Sequence, residues 1–128
     1  MLALDFGAAR TGVAVSDPTG TLARPLGVVE RAGTDAGLGR LVELVRSEEA
    51  ERVVVGLPLT LKGERGDQAL ATEEFVAVLR MRLDVPVETF DERFTTDLAE
   101  QTPSDAPEDA RAAAHLLSSY LEWASARR

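Results

Sequence analysis

Four acidic residues sit where the pattern around them would favour other side chains. Asp5 interrupts Leu2-Ala3-Leu4-Asp5-Phe6, an alternating run that reads as a strand, although aspartate is depleted in strands. Alternation takes its carboxylate off the face of Leu2, Leu4 and Phe6 and sets it beside Ala3 and Gly7, which leave room for a ligand. Taken alone, Asp5 reads equally well as a surface residue capping a turn at Gly7. Asp109 shares a helical face with Ala113, Leu116, Leu117, Tyr120 and Ala124, while Arg111, Ser118 and Glu122 lie opposite. A carboxylate on a packing face needs a partner or a metal ion; the ordinary alternative is an acid in the first turn, favoured by the helix dipole. Asp91 and Glu92 close a strand, and alternation lets only one of them face the same way as Asp5. Three converging carboxylates suit phosphodiester hydrolysis. Hard divalent cations such as Mg²⁺ prefer carboxylate oxygens, and two of them about 4 Å apart can activate water and stabilise the leaving oxygen.

Other chemistries find less support. The single histidine, His115, falls on the flank of its helix away from Asp109 and reads as a surface residue. Ser16, Ser118 and Ser119 have no acid–base partner in a readable arrangement, which argues against a serine hydrolase. Arg10, Arg24, Lys62, Arg65 and Arg93 fall in loops or at strand ends where they could grip phosphate; for each, plain solubility is the competing explanation.

The elements that must position these residues can be read from periodicity and turn signals. Strands are expected at Leu2–Phe6, Thr11–Ser16 and Leu22–Val29, joined by short turns, with Pro25 marking an edge or an irregularity. A helix follows over Asp35–Glu49, with Leu38, Leu41, Val42 and Val45 at helical spacing and Thr34 as its cap. Arg52–Gly56 is a short β-branched run of the kind buried on both faces of a parallel strand. After a loop over Leu57–Gly66, Asp67–Leu83 reads as a helix marked by Ala71, Phe75, Val78, Leu79 and Arg82. Val85–Phe90 is a strand, a short helix is placed after Thr95, and the last helix runs from near Pro107 to about Ser125. Hairpins first and crossover units afterwards imply an α/β fold with a mixed five-stranded sheet and helices on both faces.

The whole chain sets bounds on this reading. Its 128 residues suit a single domain, 1–128, and an apolar fraction of 45% fits a globular protein with a real core. It has no cysteine, so disulfides and thiolate metal sites are ruled out and a cytoplasmic home is expected. Met1–Gly7 is apolar but breaks at Asp5 with no cationic stretch before it, so no signal peptide or membrane span is read there. The net charge of −8 excludes a protein that coats nucleic acid by bulk attraction. Contact with nucleic acid must then use local arginines and lysines, metal ions or a partner chain.

Read together, these blocks resemble the YqgF/RuvX family, described as pre-16S rRNA nucleases and Holliday-junction resolvase-like proteins. The resemblance rests on Leu4-Asp5-Phe6-Gly7 with Arg10, Gly12-Val13-Ala14-Val15-Ser16-Asp17, and Pro25-Leu26. It continues through Val54-Val55-Gly56-Leu57-Pro58-Leu59, Gly63, Gln68-Ala69 and Asp91-Glu92-Arg93-Phe94-Thr95-Thr96, and ends on Asp109-Ala110, Ala112-Ala113, Leu117 and Ser119-Tyr120-Leu121. It implies an RNase H-like fold and a metal-dependent nuclease using Mg²⁺ or Mn²⁺. The ligands would be Asp5, Asp109 and one of the Asp91-Glu92 pair, with Glu92 favoured. It also implies structured RNA as substrate, chiefly the 5′ end of the 16S rRNA precursor, association with ribosome precursors, and a homodimer.

Three departures bear on substrate preference. Ala9 stands where the family usually has lysine, Lys62-Gly63-Glu64-Arg65-Gly66 carries more charge than usual, and Arg111 replaces an apolar residue on the outward face. Branched DNA is the alternative substrate, since attack on phosphate is common to both. A non-catalytic binding or transcription-associated module is a third reading, disfavoured because a pure binder gains nothing from carboxylates set against phosphate. An actin-like ATPase would need a second domain and a second phosphate motif, for which the chain has no length.

Overall fold

The computed structural model of the chain describes residues 1–60, 62–94 and 105–127. Three strands come first, β1 (Leu2–Asp5), β2 (Arg10–Ser16) and β3 (Ala23–Glu30), followed by α1 (Asp35–Ser47) and β4 (Val53–Leu57). Then come α2 (Asp67–Arg82), β5 (Val87–Asp91), a single 3₁₀ turn (Glu92–Phe94) and α3 (Glu108–Ser125). The short helix expected after Thr95 falls outside the described residues. Observed ends differ from the expected ones by one or two residues, the usual scatter where hydrogen-bond ladders fray.

The strands form one five-stranded sheet in the order β3-β2-β1-β4-β5. β2 runs antiparallel to β1 and β3, while β4 is parallel to both β1 and β5. The parallel strands β1, β4 and β5 therefore all end on the same edge. Pro25 combines the two features it signalled: it lies on an edge strand, and the β2–β3 register shifts there, from Val13 opposite Gly27 to Ala14 opposite Pro25. Thr34 caps α1, its hydroxyl accepting from the Gly37 amide at 3.2 Å.

The two sheet faces differ in the size of their side chains. On one, Leu2, Leu4, Val13, Val53 and Val55 pack against Leu38 and Leu41 of α1 and Phe75, Val76 and Leu79 of α2. On the other, Ala3, Ala14, Val54 and Phe90 meet Ala113, Leu116, Leu117 and Tyr120 of α3. Small strand residues on this second face let α3 lie close to the sheet. Leu117 is fully buried there, and truncating it to alanine would cost about 2–5 kcal/mol.

The expected face of α2 is corrected. Ala71, Val78 and Arg82 are exposed, and the buried stripe is Ala69, Thr72, Phe75, Val76 and Leu79. Apolar residues on both sides of this helix blur its periodicity, so the sequence offers two competing stripes. His115 is half-buried rather than a surface residue. Among the described residues no helix is long and apolar enough to cross a membrane.

Candidate active site

Asp5 is the last residue of β1, at the edge where the parallel strands end. Its cross-strand partner on β2 is Gly12. On the other side the β1–β4 ladder reaches Leu4 opposite Val55, and the next residue of β4 is Gly56. Strand alternation puts Asp5, Gly12 and Gly56 on the same face as Ala3, Ala14 and Val54, the face covered by α3. The carboxylate thus stands between two residues without side chains.

The space beside each glycine is filled by an acid-bearing segment. A Cβ on Gly12 would lie 1.8 Å from the Asp109 carbonyl oxygen, so the first turn of α3 rests directly on β2. A Cβ on Gly56 would lie 2.4 Å from Glu92 Oε1, so the glutamate side chain folds back over the end of β4. The 3₁₀ turn after β5 makes this possible by carrying the chain around the strand end. Glycine inside a strand commonly marks close approach of another chain segment, and both glycines do so here.

Asp5 and Glu92, both half-buried, share a hydrogen bond. Two like charges at hydrogen-bond distance cannot both ionise easily, so the pair holds a proton. Burial, then the charge and hydrogen bond of Asp5, then the charge of Asp91, push the Glu92 carboxyl up to about 7. Asp5 is also raised, first by burial and further by the charge of Asp109, while the hydrogen bond from Glu92 opposes the rise. The proton accordingly resides on Glu92, which donates to the Asp5 carboxylate.

By itself the pair does not make a cation site. Asp109 is close enough to act on Asp5 electrostatically, but its Oδ2 lies 3.2 Å from Arg10 Nε. Among the described residues no three histidine, cysteine, aspartate or glutamate side chains form a ready-made metal site. The expected convergence of three acids is therefore observed as a proton-sharing pair, with the third carboxylate turned to a cation of the protein itself.

Asp91 does not join the pair. The Arg93 Nε donates to both of its carboxylate oxygens, at 3.0 and 2.9 Å, and the Arg93 backbone amide donates to Oδ1 at 2.9 Å. These bonds hold the Asp91 carboxyl below the usual carboxylate range. Strand alternation admits either Asp91 or Glu92 beside Asp5; the geometry puts Glu92 against Asp5 and Asp91 against Arg93.

The basic residues divide. Arg10 opens β2 beside Asp109, and Lys62 is exposed in the loop between β4 and α2. Arg65 also lies in that loop, but its Nε sits 3.1 Å from Glu73 of α2. Arg24 is corrected: it pairs with Val15, at the opposite end of the sheet from Asp5, and lies 3.8 Å from Glu48. Gly12 and Gly56 have a place in the site that reading the charged residues did not find. The available signal was glycine within an otherwise β-forming run.

Comparison with known proteins gives the chain relatives and a fold. The profile of the RuvX family, described as Holliday junction resolvase, matches residues 1–123. A provisionally named pre-16S rRNA nuclease of Chloroflexus aurantiacus is 40% identical over 131 residues, covering 95% of this chain and 86% of that protein. A protein of the same name from Roseiflexus sp. is 43% identical over 115 residues, covering 88% and 82%. Among solved structures, Thermus thermophilus RuvC in complex with a Holliday junction substrate superposes with a TM-score of 0.69 at 17% identity, covering 98% of this chain and 96% of that one. The last likeness shows the fold, which is RNase H-like.

Proposed function

The chain belongs to the RuvX family, and from that membership we propose that it is a metal-dependent nuclease that hydrolyses phosphodiester bonds in structured RNA, the 5′ end of the 16S rRNA precursor first among them. The observation that carries this reading is the Asp5–Glu92 pair, two half-buried carboxylates sharing a proton at the strand-end edge beside Asp109. Strand-end edges are where ligands of α/β sheets bind. A structural role would not gather carboxylates that repel one another, whereas a divalent cation supplies the charge they lack.

The donor set fits Mg²⁺ or Mn²⁺, since every candidate donor is a carboxylate oxygen. Asp5, Glu92 and Asp109 would hold the ion, Asp109 by exchanging its contact with Arg10. Bound there, the ion supplies an activated water and neutralises charge on the phosphate. Glu92 must give up its proton to serve as a ligand, and the charge of a bound cation would favour that loss. Arg10 makes one exposed ion pair, an interaction worth little in water, and its guanidinium can turn to a phosphate oxygen. Lys62 offers a second cation from the loop, and such local charges answer the net charge of −8. A cytoplasmic location, a dimer and association with ribosome precursors are consistent with this role and belong to the same proposal.

Branched DNA is the second reading, favoured by the family's description as Holliday junction resolvase. One experiment separates the two. Precursor rRNA, single-stranded RNA and a four-way DNA junction, each labelled, are incubated with the protein in Mg²⁺ or Mn²⁺. Cleavage of the precursor at a defined 5′ position is expected. A wide preference for the junction would replace the RNA assignment, and binding without cleavage of any substrate would favour a non-catalytic module.

A further inference from the structure

We infer that Arg93 is a positioning residue rather than a substrate contact: clasped by Asp91, it seats Gly63 and thereby fixes the loop that holds Lys62 over the catalytic edge. The inference rests on the nuclease reading for what the loop does, but the clasp itself is a matter of contacts. The Arg93 guanidinium is fixed on one side by Asp91, with Nη2 2.5 Å from Oδ2 in addition to the bonds from Nε. On its other side it lies against Gly63. A Cβ there would meet Nη1 at 3.2 Å, Nη2 at 3.4 Å and Cζ at 3.5 Å, so the planar group lies against the glycine backbone.

Gly63 is constrained twice. Its φ of +80° is one that L side chains rarely adopt, and the face a side chain would occupy is the one Arg93 covers. Around it the loop is internally braced. The Gly63 amide donates to the Thr60 carbonyl at 2.8 Å, the Glu64 amide donates to Thr60 Oγ1 at 3.0 Å, and Leu59 and Arg65 form a bridge. These contacts hold Gly63 and Glu64 to Thr60, and Arg93 ties Gly63 to the end of β5, one residue from Glu92.

This assigns distinct roles to neighbours that look alike in sequence. Glu92 faces Asp5, Asp91 holds Arg93, Arg93 holds Gly63, and Lys62 is left exposed to meet phosphate. A planar guanidinium suits the seat because it can bond a carboxylate in its plane and still lie flat against a backbone; lysine can bond the carboxylate but has no plane to lay on the glycine.

The test combines amide hydrogen exchange of Lys62–Arg65 with steady-state cleavage of the labelled RNA. Arg93→Gln, Arg93→Lys and Gly63→Ala are each expected to speed exchange in the loop at least about tenfold. Each should also raise KM roughly tenfold while kcat stays within about threefold, the pattern of lost binding rather than lost chemistry. Lys62→Ala should raise KM without changing exchange. Unchanged exchange in Arg93→Gln overturns the clasp. So does loss of affinity in Arg93→Gln with wild-type affinity in Gly63→Ala, which would make Arg93 a direct contact. If Arg93→Gln fails to fold, the exchange rates of Gly63→Ala decide the matter. Because exchange needs no substrate, a protein with no cleavage activity would defeat the nuclease reading while the clasp was still judged on its own.

Discussion

Two glutamates four residues apart, on the same side of the same chain segment, meet opposite fates. Glu88 of β5 accepts from Arg52 Nη1 at 2.8 Å and from the Tyr120 hydroxyl, a closed set of unlike partners. Glu92 meets Asp5, with Asp91 also acting on it. Burial and the neighbouring Glu88 raise the Tyr120 phenol, so it stays protonated and donates, while Glu88 in turn raises Arg52. One end of the α3 face thus carries a satisfied network and the other a frustrated one. Frustration among like charges lowers the stability of a fold; on the proposed function the Glu92 end bears that cost for the site, while the Glu88 end is structural.

The largest test of that contrast is activity. Asp5→Asn, with the fold retained, should lower metal-supported cleavage at least about 100-fold, whereas Glu88→Gln should stay within about threefold. Equal losses in the two variants would erase the distinction.

Next come the glycines that make the site possible. Gly56→Ala collides with the Glu92 side chain from Cγ to Oε1 and with no backbone, so about 10–100-fold of activity should go with the fold retained. Gly12→Ala collides with the backbone of α3 and should also cost about 1–3 kcal/mol in stability, read by denaturant unfolding. If Gly12→Ala unfolds like the parent protein, the close seating of α3 on β2 is mistaken.

A smaller effect depends on pH. Between the ordinary glutamate value and about 7, folded protein binds a proton at Glu92 that unfolded protein has released. Stability therefore falls as pH rises through this window and stays lowered above it. With a chelator present, Glu92→Gln should melt higher than the parent at pH 8, with the gap shrinking to nothing near pH 4. The opposite slope would mean that Glu92 is stabilised as an anion.

The smallest effect belongs to the satisfied end. Tyr120→Phe removes one donor from Glu88, which keeps Arg52, so about 1 kcal/mol should be lost in unfolding experiments without change in cleavage.

Much of this was legible along the chain. Alternation through Leu2–Phe6 put Asp5 on the face of Ala3, and the turn and β-branched signals specified the hairpins, the crossovers and the mixed sheet. These are local properties, because a side chain's direction follows from its neighbours in the strand. The face of α2 was less legible, since Val78 and Leu79 are equally apolar and only packing chooses between them.

The acids themselves were sequence-level findings: aspartate inside a strand and aspartate on a helical packing face are conspicuous wherever they occur. What the tertiary structure alone decided was how those acids are paired. Adjacent residues Asp91 and Glu92 are interchangeable on paper, and it took the turn after β5 to put one against Arg93 and the other over Gly56. Asp109 likewise faces Arg10 because α3 rests on Gly12. Residue type fixes what a side chain can bond to; which partner comes within 3 Å depends on chain segments far apart in sequence, and no local pattern contains that distance.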